Sequence, residues 1–399
     1  MRDRFSGLMV TVAIAAVAVG AAVSVPVTRT SAQAPAASGT APAAALKTPW
    51  GEPDLQGIWT DEFDTPLQRP AKYATQEFFT EAQRSQLDAE RSAILGRFAT
   101  ERDINGAYNA ATFFTTKHTG PRTSKIVDPP NGRVPTLTAQ AQKAAAADRD
   151  FRLALLQSTD TCKKNLPGCA GGKYDPTPSA RSAEIAPRYI TGRINRNDGP
   201  EDSSLGERCL TLGLPEFGGA TGSFRRIVQT PGGISIFYDV GQGQGWQRNI
   251  VMDGSPHLPA GIRQWFGDSR GRWEGNTLVI DVTNFSPKTD YQGSRENLHL
   301  VERWTRTGPK TLAYEVMIED PTVWARPWTV KQEFGRQNDE ENRIYYEPRC
   351  VEGNQGLPGL LHGRRVEDVA FAEGRGPHPA TRDSTGALID AEVPQDPLQ

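Results

Sequence analysis

A mainly β fold, an up-and-down β-barrel elaborated with N-terminal helices and long loops, is what this sequence predicts, on three observations. After Cys209 the chain becomes a series of short, apolar-alternating segments: 224–230, 234–240, 246–252, 277–282, 298–305, 311–318, 328–334 and 343–347. Each has the length of an ordinary strand. Compact turn signals separate most of them, such as Pro231-Gly232-Gly233 and Gly308-Pro309. Within them, Val316 and Ile318 alternate with Glu315 and Glu319, the period-two pattern of a half-buried strand. Closing such a series into a barrel removes its exposed edges. The 39 Gly and 30 Pro suit a chain of many turns.

The elements before the barrel follow in order. Residues 1–36 read as an export signal, with Arg2 and Arg4 ahead of the small apolar run 7–27. Ala32-Gln33-Ala34 and Ala34-Pro35-Ala36 offer small-x-small cleavage sites, with cleavage expected after Ala36. An uncleaved anchor helix is the alternative. Residues 37–47, rich in Ala, Pro, Ser and Thr, form a flexible linker. Residues 48–208 hold an N-terminal strand, helices and a loop insertion. The strand lies at 54–60. A helix at 80–98 opens on a Thr80/Gln83 capping box, with Leu87, Ile94, Leu95 and Phe98 at helical spacing. Ile126 and Val127 suggest a strand that ends in the turn Pro129-Pro130-Asn131-Gly132, and 138–156 a helix with Phe151 and Leu155 on one side. The barrel core occupies 209–354, and 355–399 is a C-terminal extension expected to be largely irregular. No later stretch approaches ~20 apolar residues, so a soluble periplasmic or secreted protein without stable membrane insertion is expected.

Composition narrows the partners. The 45 basic and 47 acidic residues leave a formal charge of −2, with no block of one sign, which argues against nucleic acid or an anionic membrane. Four cysteines, Cys162, Cys169, Cys209 and Cys350, suit two disulfides in an exported chain. Pro167 and Gly168 turn the chain for a local Cys162–Cys169 loop, which leaves Cys209 for Cys350. A metal site of four thiolates is the other reading, and it lacks paired CxxC spacing.

Two resemblances enter here. Gly57-Ile58-Trp59 followed by a meander resembles the opening of a calycin or lipocalin-type barrel, and implies such a barrel carrying a large insertion. More broadly, DLQGIW (54–59), RTSKIVDPPNGR (122–133), GERC (206–209), DGSPH (253–257), GDSRGRWEGNTLVIDVTNF (267–285), ENLHLVERWTR (296–306) and CVEGN (350–354) occur in order. Together they resemble a large family of uncharacterised exported bacterial proteins. The chain departs from that family's pattern at Val351, where a His is usual, and at Ser255, where an Arg is usual. The resemblance implies kinship and no reaction.

The chemistry gathers around 263–285, where two Trp and several charged side chains precede an apolar strand. His257, in a loop between strands, is the leading acid/base residue, oriented by Asp253 or Asp268; a turn-capping role is the alternative. Arg270 and Arg272 could grip a carboxylate or phenolate while Trp265 and Trp273 stack on an aromatic ring. Equally, Asp268-Ser269-Arg270-Gly271 reads as a turn with surface ion pairs, and Glu274 as the flank of a hairpin. His299 and Arg303 share one strand face as substrate contacts. Glu302 faces the apolar side, either as a general acid of raised pKa or paired with a buried Arg such as Arg208. A metal held by His257, His299 and a carboxylate is the weaker alternative; no metal and no cofactor is expected, and no nucleophile elbow, metalloprotease helix, phosphate loop or dinucleotide fingerprint is present. Three functions follow: a cofactor-independent acid/base enzyme (lyase, isomerase or hydrolase) on a partly hydrophobic, aromatic or polycyclic small molecule, a carrier that binds such a ligand in the same pocket, or an envelope interaction protein that uses its long loops. The sequence does not set the oligomeric state.

Overall fold

The computed structural model describes residues 46–381, apart from 62, 101–117, 170, 189–195, 204, 206, 207, 209, 211, 212, 218–223, 242, 243 and 338–355. The expected signal peptide, most of the linker, Cys209, Cys350, Val351 and the expected strand at 343–347 lie outside the described residues.

The N-terminal part holds β1 (Gly57–Asp61), β2 (Phe63–Asp64), α1 (Glu81–Thr100), β3 (His118–Thr119), β4 (Ile126–Asp128), α2 (Ala139–Leu156) and a one-turn α3 (Asp160–Lys163). There follow β5 (Phe224–Thr230), β6 (Gly233–Gly241), β7 (Gln244–Val251), β8 (Asp268–Glu274), β9 (Thr277–Thr283), β10 (His299–Arg306), β11 (Thr311–Glu319), β12 (Trp328–Arg336) and α4 (Gly356–Ala372). The capping box works as the sequence predicts. Thr80 Oγ1 accepts from Gln83 N–H at 3.3 Å, and Gln83 Oε1 accepts from Thr80 N–H at 2.8 Å. Leu87 is buried, while the side chains of Ile94, Leu95 and Phe98 lie outside the described ones.

Alternation closes the sheet. Along β5, Arg225, Ile227 and Gln229 turn inward between outward Arg226 and Val228, and β10 and β11 alternate along most of their length. The hydrogen-bonded order is β1-β5-β6-β7-β8-β9-β10-β11-β12, and β12 returns to β1 with Trp59 opposite Arg336 and Asp61 opposite Phe334. Nine strands therefore form a closed barrel, and β4 adds to β12 at Thr329 and Val330.

An odd ring of strands cannot alternate in direction all the way round and must hold a parallel pair. That pair is β7 and β8, registered at Val251 opposite Arg270 and joined by the long 252–267 loop. The up-and-down pattern is thus broken once. β8 is also a correction to the sequence, which reads Asp268-Ser269-Arg270-Gly271 as a turn. Asp268 and Ser269 are buried and make side-chain bonds. Gly271 is demanded by close packing, since a Cβ there would lie 2.3 Å from Met252 Sδ and 2.7 Å from Ile250 Cγ2. Such a strand has the composition of a turn.

The barrel core is built on Trp59, Ile280, Leu300, Trp304, Val316 and Trp328, all essentially inaccessible. A smaller cluster joins Phe151, Leu155 and Leu156 to the Cys162–Cys169 disulfide, which the spacing predicts, with Cα atoms 5.0 Å apart. The extension expected to be irregular carries α4; Gly356, Gly359 and Gly363 dilute the helical signal of its apolar residues. No helix among the described residues is long and apolar enough to cross a membrane.

Candidate functional site

Strand register brings polar side chains into line on the outer wall. Arg270 of β8 stands opposite Asp281 of β9, and His299 of β10 opposite Glu319 of β11. The 252–267 loop lays His257 onto this face. Its Nδ1 is 2.8 Å from Asp268 Oδ2 and its Nε2 3.0 Å from Asp281 Oδ1. The same Asp281 oxygen lies 3.2 Å from His299 Nε2, and His299 Nδ1 lies 3.3 Å from Glu319 Oε2. On the other side Arg270 forks onto Asp268 at 2.9 and 3.0 Å and donates to Ser255 Oγ at 2.6 Å, while Asp253 Oδ1 accepts from Ser255 N–H at 2.8 Å. The result is one continuous chain: Asp253, Ser255, Arg270, Asp268, His257, Asp281, His299, Glu319.

Its electrostatics favour charged partners. Burial works to raise the Asp268 pKa, but bonds from Arg270, the Leu258 N–H and His257 outweigh it and hold the carboxyl below its ordinary value. The His299 bond is the main reason that Asp281 is also held low. Reciprocally, Asp281 raises the His299 pKa against the effect of burial, with Glu319 adding to it. A ring nitrogen must carry a proton to donate to a carboxylate, so His299, between Asp281 and Glu319, fills both bonds only as imidazolium.

Glu302 is on the other side of the wall. It is fully buried inside the barrel, 2.6 Å from Arg248 Nη2, and its Oε1 accepts from the Tyr314 hydroxyl at 2.8 Å. Arg248 also donates to Ser269 Oγ at 2.9 Å and to the Tyr238 hydroxyl at 3.2 Å. Burial opposes the Arg248 charge, but Glu302 prevails and the guanidinium is held more basic than usual. Burial pushes the Tyr314 hydroxyl well up, with the Glu302 charge next in importance. The partner is Arg248 and not Arg208, which instead lies 3.7 Å from Glu201. The reason is register: Arg248 occupies an inward position of β7 between Trp246 and Ile250. Aromatic rings fill the surrounding interior, with Trp304 4.3 Å from Tyr314 and 5.8 Å from Phe334 between centroids.

A groove lies elsewhere. β1 and β4 both pair with β12, and between Asp61 and Ile126 the chain leaves the wall. Phe63, Phe78, Pro121 and Arg122 of this excursion face Arg303, Ala313, Glu315 and Lys331 of the wall across a cavity of about 380 Å³. The buried Lys125–Asp61 pair, 3.5 Å apart, also lines it.

His257, Asp253, Asp268, Arg270 and His299 are thus brought together. Arg303 joins the groove and pairs with Glu274 at 3.0 Å; Arg272 reaches Glu274 as well, at 2.7 Å. Trp273 packs against the barrel core, and Trp265 sits beside β7. Sequence reasoning misses Asp281, Glu319 and Arg248. A lone carboxylate in Thr277–Thr283 and a lone Arg at an alternating apolar position are the signals for two of them. Among the described residues no group of three or more His, Cys, Asp and Glu is arranged to hold a metal ion.

No protein-family model matches the chain, and no curated protein sequence does so either. Among solved structures it is similar to a "secretary abundant heat soluble" (SAHS) protein from Ramazzottius varieornatus, at 12% identity and a TM-score of 0.22, over 33% of this chain and 82% of that one. A likeness of that size bears on neither ligand nor activity.

Proposed function

We propose that this is an exported β-barrel protein, kin to the exported bacterial family its motifs resemble, that binds a small, partly hydrophobic molecule with an aromatic or polycyclic body. The observation that carries this is the groove of about 380 Å³ beside β10–β12. Its floor is apolar at Phe63, Pro121 and Ala313, and its rim is charged at Arg122, Arg303, Glu315 and Lys331. A mostly apolar cleft with a few placed polar groups is the usual form of a small-molecule site, and the volume lies within the roughly 300–1,000 Å³ such sites span. The Cys162–Cys169 disulfide fits an oxidising compartment.

The acid/base reading finds less support. Each ring nitrogen of His257 and His299 faces a carboxylate, so neither ring turns a nitrogen toward a substrate. The chain of bonds fixes the 252–267 loop to the wall instead.

The test is fluorescence titration of the mature protein with 1-anilinonaphthalene-8-sulfonate, comparing wild type with Ala313→Trp, which fills the floor. Saturable enhancement in the wild type, lost in a variant of unchanged far-ultraviolet circular dichroism, is expected. Equal enhancement in both would sink the groove. Conversion of an aromatic or terpenoid extract by wild type but not by His257→Ala would restore the catalytic reading.

A further inference from the structure

We propose a second ligand site, for an acidic saccharide, at the parallel seam of the barrel. Among the described residues β7 pairs with β8 at Val251 alone, so its preceding residues face the 263–267 segment rather than a strand. The seam opens there into a cavity of about 540 Å³, inside the roughly 300–1,000 Å³ range of small-molecule sites.

The walls are held by backbone bonds. Gln264 N–H donates to Asn284 O and Ser286 N–H to Gln264 O, both at 2.9 Å. Gly267, at φ +66°, turns the segment where a Cβ would meet Thr283 O at 2.5 Å. Phe266 stacks on the buried Tyr238, with centroids 6.2 Å apart and planes at 13°, and packs against the barrel core. The cavity therefore has a floor, with Trp265 at its side.

Its lining has the chemistry of a sugar site. Gln247, Asn249 and Gln264 carry primary amides, which both donate and accept, as each hydroxyl of a pyranose does. The Trp265 indole offers a flat apolar surface to the C–H face of the ring. The charge balance selects an acid. No carboxylate lines the cavity, and the buried Arg248 is neutralised by Glu302. Arg263 spends Nη1 on the carbonyls of Phe285 and Glu296, at 3.2 and 2.7 Å, and pairs with no carboxylate among the described residues. That leaves one net positive charge at the mouth, suited to the carboxylate of a hexuronic acid.

Saturation-transfer NMR of the full chain with digalacturonate and with cellobiose tests the proposal. Digalacturonate should bind saturably, more weakly in high salt, and better than cellobiose. Arg263→Gln should weaken it at least about fivefold, and Asn249→Ala, at an exposed strand position, should weaken it without disturbing the fold. Ala313→Trp should leave it unchanged, separating this site from the groove. No transfer to digalacturonate, or equal binding by wild type, Arg263→Gln and Asn249→Ala, overturns the site. Equal binding of cellobiose overturns the acidic assignment.

Discussion

Arg248 and Glu302 carry a charge pair through the middle of an aromatic barrel, and its balance fixes what substitution does. Removing one partner leaves the other charged and dry, whereas removing both leaves nothing unpaired. Arg248→Ala is expected to cost about 3–5 kcal/mol, read as a lowered urea midpoint. The joint change Arg248→Met with Glu302→Leu should cost less than either single change, and an additive loss would refute the buried-pair account. The outer chain behaves differently because it is half exposed and titrates. The folded-state pKa of His299 is raised, so its contribution is full below the ordinary value of about 6.5 and is lost as pH climbs through the folded value. Asp268 and Asp281 are depressed, so theirs is present above the ordinary value of about 3.8 and is lost as pH falls through the folded values. The 252–267 loop should therefore be held most firmly in the mildly acidic range between these limits. Amide exchange of the loop from about pH 2 to 9, corrected for intrinsic exchange rates, checks this. His299→Gln should flatten the alkaline limb and, because the His299 bond is what mainly holds Asp281 low, weaken the acid limb as well.

Glycine marks the element that sequence patterning hides. Gly267→Ala should destabilise by about 1–3 kcal/mol in thermal melts, because it meets both a positive φ and a backbone oxygen that cannot move aside. Gly271→Ala should cost less, since Met252 Sδ is the end of a flexible side chain, although Ile250 gives less readily. The other barrel strands after Cys209 among the described residues were legible because they are short apolar-rich segments, several with period-two alternation, and compact turns separate most of them. β8 was not, because Asp268 and Ser269 are polar residues spent on Arg270, His257 and Arg248, and close packing forces a glycine two positions further on, at Gly271. The site was legible by the same measure. His257 and its partner Asp268 lie eleven positions apart and could be read together. Asp281 joins them through the β8–β9 hairpin, opposite Arg270, and was missed because the sequence reads β8 as a turn. Glu319 joins through the registers β9–β10 and β10–β11, which a long loop between β9 and β10 conceals from any local pattern. The Arg248–Glu302 pairing spans three strand neighbours and is likewise set by closure.

At the scale of the whole molecule, the two larger of the hydrophobic cores among the described residues are unequal in size. The barrel core is large and ring-closed, while Phe151, Leu155, Leu156 and the disulfide form a satellite beyond it. The ties between them are largely polar. The N-terminus of α2 is fixed to the barrel through Thr138, whose Oγ1 donates to Thr322 O at 2.7 Å, and Arg188 bridges Asp148 of α2 at 2.5 Å to Asp290 at 3.1 Å. Such links couple two cores weakly compared with apolar packing. The Cys162–Cys169 closure spans a separation of 7 residues, and in the chain-entropy model a loop that short stabilises by about 2.5 kcal/mol. A satellite this small depends on that contribution, and the barrel does not. Mild reduction should accordingly speed amide exchange in α3 and the C-terminal half of α2 by between roughly tenfold and a hundredfold. The Thr138 end of α2 and the barrel strands should keep their protection. If β9–β12 lose protection in step with α3, the two cores unfold as one cooperative unit and the polar ties are stronger than surface pairs ordinarily are.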